Sequence, residues 1–228
     1  MSTPLTFADP RLAALDGFRV ELDEGRARAD IVLDRPPLNV IEMPQRDQLR
    51  LAFEELEADV RVRVIVLRAK GEHFSSGGNI MGFLEATPEH VARLAWNISA
   101  PARCSKPVIA ANRGYCFGVG FEISLACNFR IASETCLYAL PEQRLGQIPG
   151  SGGAARLQKM IGIARTKDVV MRSRRISGRQ ACEWGLATEC VGDGELEGHC
   201  YSRLRQSDDF REGVEAFHGK RKASFRGK

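Results

Sequence analysis

PVIAANRGYCFGVGFEISLACNFRIA, residues 107–132, divides into four short pieces with different physical signatures. Pro107–Asn112 is an apolar run of strand length between a proline and a glycine, as expected of a strand buried on both faces. Gly114–Gly120 places three glycines in seven positions and reads as a loop. The stretch that follows, through Cys127, reads as a helix, and Phe129–Ala132 as a further short strand. Strand, glycine loop, helix and strand in such close succession are the material of a layered α/β fold.

The alternation continues in both directions. Upstream, Val62–Leu67 is a β-branched run of strand length, and Leu49, Phe53 and Leu56 fall on one face of a helix between Pro44 and Asp59. Phe18–Leu22 and Arg26–Leu33 form a predicted hairpin around Asp23, Glu24 and Gly25, which Pro36 and Pro37 end. Residues 1–16 read as a loosely attached leader. Thr87 and Pro88 supply a cap and a first-position proline for another helix. Downstream, Pro149–Gly153 introduces a helix from Ala154, and the chain beyond Ser177 reads as mostly helical. The expectation is one α/β core domain over residues 1–190 and a helical C-terminal region over residues 191–228.

Composition narrows the function classes. Hydrophobic residues make up 43% and charged residues 27%, which excludes a disordered or fibrous chain. The net charge of +4 is small, and the basic stretches Arg165–Arg179 and Lys220–Lys228 read as solvated faces or as a contact for an anionic ligand such as a phosphate. A nucleic-acid binder shows a stronger, clustered basic excess with interleaved aromatics, so no nucleic-acid partner is expected. The seven cysteines form no Cys-x-x-Cys pair and the four histidines add no ligand spacing, so reduced thiols and no metal are expected. No charged-then-apolar leader of a targeting signal and no apolar run of membrane-spanning length is read, and the expectation is a cytoplasmic protein with no membrane partner.

Three glycine-rich loops follow strands or open helices: Phe74–Asn79, Gly114–Gly120 and Pro149–Gly153. Glycine lets backbone N–H groups approach a ligand closely, and at a helix start those groups are unpaired and partly positive. Such loops suit a phosphate or a developing oxyanion. None ends in Gly-Lys-Ser/Thr, and Gly118–Gly120 lacks the third glycine of a dinucleotide fingerprint.

Taken together, Leu33–Val40, Phe74–Ile80, Pro107–Ala132, Pro141–Gly153 and Ser177–Leu186 closely resemble the crotonase superfamily, the enoyl-CoA hydratase/isomerase family. The resemblance implies an α/β spiral of ββα turns, a homotrimer or a dimer of trimers, an acyl-CoA substrate and no separate cofactor, since coenzyme A enters with the substrate. It implies oxyanion donors at the backbone N–H groups of Gly78 and Val119, the latter where relatives commonly have glycine. Ser76, Gly78 and Ile80 match positions whose backbone lies along the CoA adenine. Arg35 matches a basic position near the nucleotide, and Gly150 a position near the reacting water. Asn79 stands where the family often has aspartate, in a role that supports the loop. Between Gly194 and Tyr201 about two helices' worth of the expected sequence is absent, and Ser207–Lys228 looks like the usual end of the family.

Glu122 and Glu142 are ordinary residues when read alone. The first stands in the opening turn of a helix, where a carboxylate favours the dipole; the second lies in a loop. Both fall on the family's two hydratase carboxylates, which implies that Glu122 activates water and Glu142 donates the Cα proton. Two carboxyl groups of unlike protonation can share that work. A double-bond isomerase of this fold can work with one carboxylate, so the pair points to hydration across an α,β double bond. Isomerisation, or hydration or ring opening of an alicyclic CoA ester, is the neighbouring reading. An RNA-binding scaffold using the Arg165–Arg179 face is the reading of another class.

Overall fold

The computed structural model describes residues 3–199, 212, 215–216 and 219–222. The chain runs β1 (Thr3–Pro4), β2 (Phe18–Asp23), β3 (Arg28–Leu33), α1 (Met43–Ala58), β4 (Val64–Ala69), α2 (Met81–Glu85), α3 (Pro88–Ile98) and α4 (Ala100–Arg103). It continues through β5 (Val108–Asn112), β6 (Tyr115–Phe117), α5 (Val119–Ala126), β7 (Phe129–Ser133) and β8 (Leu137–Ala139). It then passes α6 (Gly153–Ile161), α7 (Ile163–Arg172), β9 (Ile176–Ser177), α8 (Gly178–Glu183) and β10 (Glu189–Val191).

Two sheets organise these elements. The larger has the order β1-β2-β3-β4-β5-β7-β10 and the smaller β6-β8-β9. Each turn of the spiral gives a strand to the large sheet, a strand to the small one, and then a helix. β5-β6-α5 is one such turn, and β7-β8-α6 is the next. In the preceding turn the second strand shrinks to single parallel bridges, Ser75 to Cys116 and Ile41 to Gly78. That reduction brings the Phe74–Asn79 loop alongside the start of α5.

Packing follows the apolar pattern. Val108–Asn112 is buried at every position, and Leu49, Phe53 and Leu56 of α1 enter the same core as Ile31, Ile65 and Phe121. A second cluster on the other side joins Val64, Val66, Ile109, Ala111 and Ile131 to Leu196. Thr87 caps α3 by accepting from the His90 N–H at 3.3 Å, with Pro88 at the first helical position.

Three readings change. The described part of the expected leader, residues 3–16, is not loose: β1 pairs with Leu22 and Glu21, Leu12 is buried, and Gln48 accepts from the Asp16 N–H at 2.9 Å. The glycine loop contains the strand β6, because Tyr115–Phe117 pairs in parallel with Leu137–Ala139. Beyond Ser177, where a mostly helical chain was expected, β10 adds a parallel edge to β7 through Ile131–Ser133. β6 and β10 each depend on a partner distant in sequence. Most of the family-like stretch Ser207–Lys228 lies outside the described residues.

Candidate active site

The site is built around α5. Every residue from Val119 to Ala126 is buried, so the polar side chains in it need protein partners. Ser124 donates to Asn112 Oδ1 at 2.8 Å and the Tyr138 hydroxyl donates to the same oxygen at 3.0 Å. Phe121 packs on the Tyr138 ring with centroids 4.9 Å apart. At the far end Arg130 donates to the carbonyls of Ser124, Cys127 and Leu186 at 3.0, 2.8 and 2.7 Å. A buried cation thus caps the negative end of the helix and fixes its axis. Gly118 precedes the helix at φ +51°, a conformation that favours glycine, and its N–H reaches Ala139 O at 3.0 Å.

Two backbone donors converge in front of this helix. The N–H groups of Phe74, Ser75, Ser76, Gly77 and Asn79 are taken by Arg113 O, Tyr115 O, Leu38 O, Ser75 Oγ and Ile41 O. Among the described residues that of Gly78 has no acceptor, and neither has that of Val119, the first residue of α5. Val119 is buried, and a Cβ on Gly78 would lie 3.5 Å from its Cγ1, so the two loops touch at these residues. Asn79 bridges to Glu42 Oε2 at 2.8 Å and accepts from the Met81 N–H at 3.1 Å, which ties the loop to α1 and α2.

The carboxylates flank the donors in unlike surroundings. Glu122 is 2% exposed, and its Oε1 accepts the N–H groups of Ser151 and Gly153 at 2.8 and 2.9 Å. Burial pushes its carboxyl above the ordinary range, while those N–H groups, the Ser151 hydroxyl and the Arg46 guanidinium oppose the rise. A Cβ on Gly153 would lie 2.7 Å from Glu122 Cγ, so glycine is needed there for close approach. Glu142 opens a single 3-10 turn, Glu142–Leu145, after β8. Its Oε2 is buried without a partner among the described residues, and Oε1 lies 3.4 Å from where a Cβ on Gly118 would be. Burial, with the charge of Glu122 behind it, pushes this carboxyl up to about 7.

Gly78, Val119, Glu122 and Glu142 therefore share one locale. Gly150 lies one residue before Ser151, the first donor to Glu122, and is exposed. Ser76 is half-buried with its N–H bound to Leu38 O at 2.9 Å, and Ile80 is exposed ahead of α2. Arg35 is drawn into an ion pair with Asp16 at 2.5 Å. In the basic stretch, Arg172 and Arg174 pair with Asp168, and Arg165 and Arg174 stack on Trp184. Sequence reading missed Ser151 and Gly153 as the groups that hold Glu122, and Arg46, a fully buried residue of α1 whose guanidinium meets Gly78. No group of three His, Cys, Asp or Glu residues able to hold a metal occurs among the described residues. Nor is any described helix long and apolar enough to cross a membrane.

The chain as a whole is similar to known proteins. The family model for enoyl-CoA hydratase/isomerase matches residues 24–206. Carnitinyl-CoA dehydratase of Salmonella paratyphi A is 37% identical over 174 residues, 73% of this chain and 66% of the relative, a little under two thirds of its length. The crystal structure of an enoyl-CoA hydratase from Bacillus anthracis superposes with a TM-score of 0.77 at 26% identity, covering 93% of this chain and 100% of that one. A Thermobifida fusca protein solved in complex with acetoacetyl-CoA gives 0.77 at 25% identity, over 83% of this chain and 79% of its own. With a ββα spiral, a glycine loop beside a helix start, a buried Glu122 and a half-buried Glu142 already in place, a match over most of the chain leaves one assignment: the protein belongs to the enoyl-CoA hydratase/isomerase family of the crotonase superfamily.

Proposed function

We propose that the protein is an enoyl-CoA hydratase, adding water across the α,β double bond of an acyl-CoA thioester and, in reverse, dehydrating a 3-hydroxyacyl-CoA. The observation that carries the reading is the contrast between the carboxyls. One is held by two backbone N–H groups, the other has an unpartnered oxygen and a pKa near neutrality. Groups that titrate in unlike environments divide acid and base roles.

In this mechanism the thioester oxygen accepts the N–H groups of Gly78 and Val119. As water adds at Cβ, negative charge moves onto that oxygen, where fixed donors in a dry site stabilise it more than they stabilise the substrate. Glu122 takes the water proton, and Gly150 borders the water. Glu142, protonated below about 7, gives its proton to Cα. No electron transfer is required, so the substrate's coenzyme A is the only cofactor moiety in the scheme. The CoA portion would lie along Ser76, Gly78 and Ile80, with Arg35 near the nucleotide once released from Asp16. A homotrimer or dimer of trimers is the assembly inferred from the family resemblance.

The test is hydration of crotonyl-CoA by the purified protein, with dehydration of 3-hydroxybutyryl-CoA and of carnitinyl-CoA measured beside it. Glu122→Gln and Glu142→Gln should each lower kcat by about a hundredfold to ten-thousandfold. Full activity in either variant would remove that residue from the mechanism. Isomerisation of a 3-enoyl-CoA that survives loss of one carboxylate, without hydration, would favour an isomerase.

A further inference from the structure

Arg46 is the most anomalous polar residue of the described structure. It lies on α1, is 1% exposed, and makes neither an ion pair nor a hydrogen bond to any described residue. Its Nε is fully enclosed without a partner. The guanidinium stacks 5.1 Å from the centroid of Phe83 on α2, and Nη2 approaches Gly78 so closely that a Cβ there would collide with it. Its charge is felt by Glu122. Arg46 is thus wedged between the oxyanion loop, the water-activating carboxylate and the helix that follows the loop.

An arginine carries five N–H donors and no acceptor, and leaving them unmet in a low-dielectric interior is strongly unfavourable. Burial pulls its pKa down to about 10, with Glu122 and Glu42 opposing, so the group keeps its charge at neutral pH. Glu42 is engaged by Asn79, and Glu122 by Ser151 and Gly153. Neither carboxylate is placed to take the fork. A ligand that enters beside Gly78 and brings two acceptor oxygens would meet it with the geometry arginine suits best.

We propose that Arg46 is a specificity-determining residue that binds a carboxylate on the substrate's acyl group, so that the enzyme acts on the CoA monothioester of a dicarboxylic acid. The assignment rests on the reading of the site as an acyl-CoA site. It also predicts discrimination against a permanent cation in the acyl group, such as the quaternary ammonium of a carnitinyl thioester, which the buried guanidinium repels.

Calorimetric binding separates this idea from turnover. Malonyl-, succinyl- and glutaryl-CoA are titrated into the full-length protein, each beside the neutral acyl-CoA of equal carbon number, with carnitinyl-CoA as the cationic arm. At least one carboxylated thioester should bind roughly tenfold to a hundredfold more tightly than its neutral counterpart. Carnitinyl-CoA should bind most weakly. In Arg46→Leu the carboxylate preference should collapse to about one, and Arg46→Lys should restore part of it. The preference is a ratio measured on one sample, so partial misfolding of a variant does not alter it. Wild-type protein with no carboxylate preference, or a preference unchanged in Arg46→Leu, overturns the proposal. An Arg46-dependent preference without turnover of any enoyl-CoA supports it and defeats the hydratase reading. Crotonyl-CoA hydration without that preference does the reverse.

Discussion

Glu142 shows what an unfavourable environment does to a single side chain. A carboxyl buried with one unpartnered oxygen resists ionisation, which keeps a proton available near neutral pH and opposes folding once that proton leaves. Its folded pKa of about 7 lies above the reference value of 4.5. The folded state therefore binds the proton more tightly, and the stability this group contributes is complete below about 4.5 and lost as pH rises through about 7. Glu142→Gln removes the titration while keeping the shape. The variant should melt higher than the wild type at pH 8, with the gap narrowing towards pH 5, as thermal denaturation across that range would reveal. Hydration should show an alkaline limb near pH 7 in the wild type, absent from the residual activity of the variant; a limb that persists would assign it elsewhere. Alone, neither glutamate was legible as functional, because a first-turn carboxylate and a loop carboxylate are ordinary. Only their coincidence with the family's two carboxylate positions, beside two glycine loops, singled out the pair in the sequence. Arg46 stayed hidden for the opposite reason: an arginine on an amphipathic helix reads as solvated, and only the loop and α2 closing over it reveal its burial.

At the level of elements, the decisive unit is the start of α5 together with the Phe74–Asn79 loop. The helix was legible because its run of apolar residues and its leading glycines are local signals. The strand β6 inside the same loop was not, since three residues acquire strand character only by pairing with Leu137–Ala139. β10 escaped for the same reason, as it exists through Ile131–Ser133. The donor at Val119 can be removed without removing the helix. Proline fits the first helical position, where no intrahelical bond is lost, and the preceding Gly118 is the residue most tolerant of a following proline. Val119→Pro should therefore fold, with near-native far-UV dichroism, and lose about a hundredfold to a thousandfold in kcat as one oxyanion donor disappears. Val119→Gly keeps the N–H and should keep kcat within about tenfold. Equal losses in both variants would point to side-chain packing against Gly78 rather than to the backbone donor. Gly118→Ala is the harsher change, because it strains a residue at φ +51° and presses a methyl group towards Glu142 Oε1.

At the scale of the whole molecule, the described turns pack around one large core with a smaller cluster on its other side, and the cysteines report on the large core. Cys116 on β6, Cys127 after α5 and Cys136 before β8 are buried in the same cluster as Phe121, Tyr138 and Ile176, so they span successive turns of the spiral. Burial pushes all three thiols upward, Cys127 to about 12, which withdraws the thiolate needed for reaction. Cys104, Cys182 and Cys190 are only half-buried, and even there burial raises Cys182 to about 11. A spiral whose turns interlock in one core should open as a unit rather than turn by turn. Disulfide-exchange titration at pH 8 should thus modify Cys104, Cys182 and Cys190 slowly in the native protein and leave Cys116, Cys127 and Cys136 untouched. With added urea, the rate at the protected three should rise along the same transition as the loss of far-UV dichroism. Peptide mapping of modified protein would assign each site. Modification of Cys116 or Cys136 before that transition would mean that the small sheet opens alone. The glycine loop before Val119 would then be held by a weaker unit than the one that holds Glu122.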